Sequence, residues 1–282
     1  MAGPPATHPG EDIKDCHIHL MNPFLDQPDL LIQELDRYNI SEAIIFAGPT
    51  PRGAPPVPSL VAQLVGNTAL GHWITKRAVD SGWISVYPRP DNGTVLDVVR
   101  TASDRLRMLL FLNLREAPGQ AELDVLGSTA CAGIKVHLLF YPASLLASSL
   151  DALWQALSDL QKVALIDLGL RDWAPAEVGA LANRYPGISF LLAHLPREAF
   201  TLAARLPNVY LDMSGPDITP RWLRSAIASA GNSRILFGSD APRSAGGSIP
   251  YSLSVVRRSH LDRETRRQIC SGNFDRIFPR PM

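Results

Sequence analysis

Eight short runs rich in Val, Ile, Leu and Phe recur along the chain, most of them followed by a longer stretch at helical spacing, and this rhythm constrains the fold most. Strands buried on both faces read as continuous apolar runs, and strands that alternate with helices form a parallel sheet covered by those helices. The runs predict strands near residues 13–19, 42–47, 107–114, 132–138, 163–168, 188–194, 208–213 and 234–239. Helices are expected at 29–39, 94–104, 120–129, 149–161, 175–184, 197–205, 220–230 and 249–258, with a final one at 262–271. Asp151, Pro175 and Pro220 sit near expected helix starts, where a capping side chain or a preset φ is favourable. Eight strand–helix units predict an α/β fold, a single-domain (β/α)8 TIM barrel, and 282 residues suit one such domain.

Two segments break the rhythm. Residues 1–11, with several Pro and Gly, read as a loose N-terminal tail ahead of a barrel at 12–282. Residues 48–93 hold a Pro-rich stretch (GPTPRGAPPVP), a helical stretch around 59–79 and a strand-like WISVY at 83–87. This insertion follows the second strand and so emerges at the barrel end where active sites lie, either as a lid or substrate wall or as an extra structural hairpin.

Composition narrows the function. With 46% hydrophobic and 19% charged residues the chain can bury a large core. Lys plus Arg and Asp plus Glu both number 27, so no net field draws it to nucleic acid or an anionic membrane, and a small-molecule partner is expected. Cys16, Cys131 and Cys270 are odd in number and scattered, which fits a reducing cytosol and neither a zinc knuckle nor a disulfide framework. The start, MAGPPATHPGEDIK, has no basic segment followed by an apolar core, and no run approaches the roughly 20 apolar residues of a membrane span. A cytoplasmic location is expected.

Polar residues end several of the apolar runs, where burial without partners would be costly. In DCHIHL, alternation along a strand puts Asp15, His17 and His19 on one face and Cys16 and Ile18 on the other, toward the helices. Two imidazoles about 7 Å apart along a strand can converge on one metal. AGIKVHL places Lys135 and His137 on one face of strand four, ISFLLAHLP ends strand six at His194, and ILFGSDAPR ends strand eight at Asp240. In a barrel these ends meet at one mouth. NVYLDMSG adds Asp212 and Ser214 as residues behind the site, and Asp15 is expected to support the histidines. A thiolate nucleophile and a dinucleotide fingerprint are both disfavoured: Cys131 precedes a buried strand, Cys16 faces the helices, and GSDAPRSAGG lacks the strand-to-helix spacing.

DCHIHL, GIKVHL, FLLAHLP, NVYLDMSG, ILFGSDAP and a closing CSGNFDRIF resemble, in order and spacing, the amidohydrolase superfamily over residues 12–278. The resemblance is to its amidohydrolase-related (amidohydrolase 2) branch of metal-dependent hydrolases and nonoxidative decarboxylases. It implies one divalent metal, zinc by the habit of the family or else manganese or iron, held by His17, His19 and Asp240. Asp240 also handles the proton of the bound water, and His194 contacts substrate or polarises the developing negative group. Where the family commonly has a metal-binding histidine at the end of strand five, this chain reads VALIDLG and offers Asp167. That carboxylate is either a further ligand or the mark of a metal-free site, as in related lactonases that add arginines to the same frame. Arg197 and Arg243 could then hold a substrate carboxylate bidentately. Lys135 balances Asp240 or Asp167, or carries a bridging carbamate as in some members; His137 contacts substrate or packs.

The leading expectation is a metal-dependent hydrolase acting on an amide, imine, ester or lactone of a small anionic molecule. A nonoxidative decarboxylase or lyase on the same frame, and a metal-free lactonase or noncatalytic binding descendant, are the alternatives. The resemblance also implies a homodimer.

Overall fold

The computed structural model describes residues 11–48, 77, 81, 89–116, 118–169, 171–215, 218–242 and 248–280. The expected tail other than Glu11, most of the 48–93 insertion, and Arg243 lie outside the described residues.

Eight parallel strands follow one another round a sheet in chain order, giving the (β/α)8 barrel. They are β1 (Ile13–Leu20), β2 (Ile40–Ala47), β3 (Leu106–Leu112), β4 (Cys131–His137), β5 (Val163–Asp167), β6 (Ser189–Leu192), β7 (Val209–Asp212) and β8 (Ile235–Leu236). The described helices are α1 (Pro28–Arg37), α2 (Asn92–Thr101), α3 (Gln120–Gly127), α4 (Asp151–Asp159), α5 (Ala174–Arg184), α6 (Phe200–Arg205), α7 (Pro220–Ala230), α8 (Ile249–Arg258), α9 (Arg263–Arg267) and α10 (Asn273–Ile277). Prolines open α1, α5 and α7, where a missing amide costs little. Asp91 and Thr219 cap α2 and α7 through side-chain oxygens. Asp151 does not cap α4; it lies in the helix's first turn, where its charge opposes the positive end of the dipole. The final helix expected at 262–271 is α9, a π-helical turn over Gln268–Gly272, and α10.

Alternation sorts the strand residues into two cores. Ile45, Met108, Val136, Ile166 and Leu211 face outward and pack with helical residues such as Leu31, Val99, Leu153 and Val178. Ile44, Phe46, Leu109, Val163, Leu165, Leu191 and Leu236 face inward with Phe274, Ile277 and Phe278. Arg107, near the start of β3, donates to the carbonyls of Phe278 and Pro279, so the C-terminal helix plugs the end of the barrel where strands begin. The opposite end is left for chemistry.

Two departures from ideal strands shape that end. The β1–β2 register shifts between Asp15 and Ile18, and Cys16 joins the inner cluster rather than facing the helices. The strict alternation expected for DCHIHL therefore fails at this bulge. The last strand is two residues long instead of six, because beyond it the chain bends onto β1: Cys16 N donates to Phe237 O, Asp240 N to His17 O and His19 N to Ala241 O, at 3.0, 2.8 and 2.8 Å. Gly238 permits this approach; a Cβ there would lie 3.0 Å from that of His17 and 3.2 Å from that of Ser214.

Candidate active site

The closure of β8 on β1 brings Asp240 over the two histidines of β1. Asp240 Oδ1 lies 3.1 Å from His19 Nε2 and 3.5 Å from His17 Nε2. Ligand atoms of the three residues all fall within 4.8 Å of one another, and all three side chains are buried. Asp240 holds φ at +58°, a left-handed conformation that costs a non-glycine residue energy and here aims the carboxylate inward. Phe46, in register with His19, packs edge-on against both imidazoles at 4.9 and 4.6 Å between centroids.

The backs of the rings fix which nitrogens face inward. His17 Nδ1 is 2.8 Å from Asp212 Oδ2, so its N–H donates to that carboxylate and the Nε2 lone pair points into the site. His19 Nδ1 faces the Ala47 carbonyl at 3.4 Å. Burial, then the charge of Lys135, lowers the His17 pKa to about 4, so the ring stays neutral at physiological pH, the form a metal requires. Among the described residues the buried His17 Nε2 meets no hydrogen-bond partner. An inward-facing lone pair on neutral imidazole, beside a second imidazole and a carboxylate, fits a divalent cation.

Asp212 and Ser214 form the hub behind the site. Burial opposes ionisation of Asp212, but the charge and hydrogen bond of His17 hold its carboxyl below the usual range. Its Oδ1 accepts from Ser214 N at 2.7 Å, and Ser214 Oγ lies 3.1 Å from His17 Nδ1 and 3.0 Å from His194 Nδ1. Gly215 adopts φ +104°, and a Cβ there would meet His194 Nδ1 at 2.9 Å. Asp15 Oδ1 accepts from His17 N and Ser239 N, bracing the start of the closure, and burial raises its pKa to about 7.

A second cluster lies at the ends of β4 and β5 and just beyond β6. Asp167 Oδ2 is 3.2 Å from both His137 Nε2 and His194 Nε2, and Oδ1 accepts from Gly169 N at 2.9 Å. His194 Nδ1 faces the Ser214 carbonyl at 3.1 Å, so both ring nitrogens meet acceptors. Burial disfavours its charged form, yet the Asp167 hydrogen bond and nearby carboxylates prevail and raise the pKa to about 9. Burial likewise opposes the Asp167 carboxylate, and the charges and bonds of His137 and His194 pull it well below its ordinary value. Asp167 is not among the three residues whose ligand atoms converge.

A family model described as amidohydrolase matches residues 15–280. The chain belongs to the amidohydrolase family. Solved structures of similar fold include a dihydroxybenzoic acid decarboxylase from a Polaromonas species with bound manganese and 2-nitroresorcinol (15% identity, 95% of this chain and 96% of that one, TM-score 0.58). Others are a probable 2-pyrone-4,6-dicarboxylic acid hydrolase from Acinetobacter baumannii with bound citric acid (12%, 94% and 98%, 0.63) and a 4-oxalomesaconate hydratase from Rhodopseudomonas palustris (12%, 95% and 96%, 0.63). Comparison with curated proteins finds no match. These structurally similar proteins are named as enzymes of three kinds, a decarboxylase, a hydrolase and a hydratase.

Other expected residues of this amidohydrolase fall into place around these clusters. Lys135 is fully buried with its ammonium 5.1 Å from the Phe46 ring centroid, and its charge acts on both His17 and Asp167. Arg197 is exposed on a 3-10 turn after His194. Arg171, not singled out from the sequence, donates through Nε to Leu138 O at 3.2 Å and ties the β5 loop to the β4 loop. Phe46 was also missed; its signal is an aromatic in the apolar run of strand two, one residue before that strand's end. The three thiols are buried, and burial raises the pKa of each, so none is poised as a nucleophile. Among the described residues no helix is long and apolar enough to cross a membrane.

Proposed function

We propose that this amidohydrolase is a hydrolase of small anionic molecules carrying an amide, imine, ester or lactone, with one divalent cation, zinc or manganese, held by His17, His19 and Asp240. The observation that carries the reading is the convergence of these three buried residues, with the neutral His17 Nε2 aimed inward. When bound, such an ion supplies Lewis-acid polarisation and brings the pKa of a water toward about 7. The Asp240 carboxylate, seated beside both imidazoles, takes the proton of the attacking water and passes it to the leaving group. His194 is the most exposed side chain of the two clusters, at 33%, and faces the mouth as an imidazolium that stabilises negative charge developing on the substrate oxygen. The His194 imidazolium, the more open cation of the site, gives an anionic substrate a charged contact, and Arg197 and Arg243 would add to that recognition.

Nonoxidative decarboxylation is the second reading. It is favoured by His194 as a cation able to seat a substrate carboxylate beside a proton-carrying Asp240.

The test is to give metal-loaded protein carboxylate-bearing lactones, esters, amides and imines in parallel with carboxylated phenols. Hydrolysis of lactones and esters is followed by proton release to an indicator, that of amides and imines by the amine set free, and decarboxylation by trapped CO2. Turnover with the first set is expected, falling at least about 100-fold in Asp240→Asn with an unchanged circular dichroism spectrum. Near-parental rates in Asp240→Asn would remove its proton role, CO2 release alone would select the second reading, and full turnover by metal-stripped protein would end the metal-dependent one.

A further inference from the structure

The β5 carboxylate occupies a position where the family resemblance implies a metal-binding histidine, and its surroundings give it different work. His137 and Asp167 are register partners across β4 and β5, so their side chains emerge side by side from the barrel wall. The turn after Asp167 is tight: Gly169 has φ +58°, and a Cβ there would sit 2.1 Å from Leu139 N. That turn delivers the Gly169 amide to Asp167 Oδ1, while Oδ2 is shared by the Nε2 atoms of His137 and His194. Both carboxylate oxygens are committed to donors.

The two histidines are held unequally. His137 lies against Phe140 at 4.2 Å and Phe111 at 6.5 Å between centroids, is 6% exposed, and is fixed by packing. His194 is more open and sits on a strained stretch, with φ +69° followed by +42° at Leu195. Its ring is gripped on one edge by Ser214 and on the other by Asp167.

We propose that Asp167 is a positioning residue: with His137 as an immobile brace, its carboxylate holds the His194 ring at the mouth, and the cation is left to His17, His19 and Asp240. Three protein ligands leave coordination positions open for water and substrate, as catalytic sites require. This rests on the reading of His194 as the group that meets substrate charge. Asp167 acts through His194 and touches neither cation nor substrate.

The experiment uses the full chain and its Asp167→Asn variant. Zn2+ affinity is measured by competition with a chelating dye, and ring 15N signals are recorded on histidine-labelled protein with and without Zn2+. Zn2+ affinity within threefold of the parent is expected, with the ring signals of His137 and His194 moving together and those of His17 and His19 unchanged. A tenfold or greater loss of Zn2+ affinity makes Asp167 a ligand and overturns the proposal; so does an unmoved His194 signal. Should Asp167→Asn not fold, His137→Gln replaces it, with the same Zn2+ result and a shifted His194 signal expected, and an unmoved one overturning the brace. A parent that binds no Zn2+ would instead defeat the cation reading above, while the His137–Asp167–His194 coupling stays readable in the metal-free spectra.

Discussion

Asp212→Asn probes the device that presents His17 to the site. Asparagine matches aspartate in shape, and its amide oxygen can keep accepting from Ser214 N at 2.7 Å. The other oxygen, 2.8 Å from His17 Nδ1, becomes an NH2 donor. Nδ1 must then accept, so the ring proton moves to Nε2, toward Asp240 Oδ1 at 3.5 Å, where it blocks the lone pair a cation needs. Loss of such a partner behind a metal ligand typically weakens metal affinity 10- to 100-fold, about 1.4–2.8 kcal/mol. Ser214→Ala serves as the contrast. It removes only the hydroxyl 3.1 Å from the same nitrogen and leaves the carboxylate in place, so a change under about threefold is expected. The assay is Zn2+ competition against a chelating dye at pH 7, with circular dichroism and a melting curve for each variant. Affinity of folded Asp212→Asn within twofold of the parent, or a larger loss in Ser214→Ala, would refute the tautomer argument.

Stability of the metal-free protein is expected to fall as pH rises from 7.5 to 9. The folded-state pKa of His194, about 9, exceeds its ordinary value of 6.5. Its contribution is therefore fully present below pH 6.5 and lost as pH rises through 9. Asp15, raised to about 7, and His17, lowered to about 4, act in opposite senses at lower pH and change little in this window. Thermal melts across the window should show a falling Tm in the parent and a flatter profile in His194→Gln; equal slopes would contradict the assignment. Gly215→Ala forces a Cβ to 2.9 Å from His194 Nδ1 at φ +104°, so a loss of about 1–3 kcal/mol is expected in denaturant unfolding. An unchanged midpoint would show that the turn tolerates a side chain.

The barrel was legible because parallel strands covered by helices must be apolar on both faces, and the runs ending at His137, Asp167 and His194 could hardly be anything else. The chemistry was legible for a related reason: polar residues at strand ends such as His17, His19 and Asp240 carry a burial cost that only a site explains. What escaped were the consequences of close backbone contact. Alternation assigned Asp15 to the face of the histidines and Cys16 to the helices, whereas a register shift in β1 turns Cys16 inward. The expected six-residue eighth strand stops at Leu236, because Gly238 and the left-handed Asp240 fold the chain against β1. Asp167 was visible as an oddity on β5, but its partnership with His137 follows from strand register, which no single run of sequence contains.

The most direct test is diffraction from crystals of protein purified without chelator, with anomalous data collected at the zinc and manganese edges. One peak is expected, within about 2.3 Å of His17 Nε2, His19 Nε2 and an Asp240 oxygen, with Asp167 out of its coordination shell. No peak after soaking in Zn2+ or Mn2+, or a peak bonded to His137, Asp167 and His194 instead, would contradict a cation centre built on His17, His19 and Asp240.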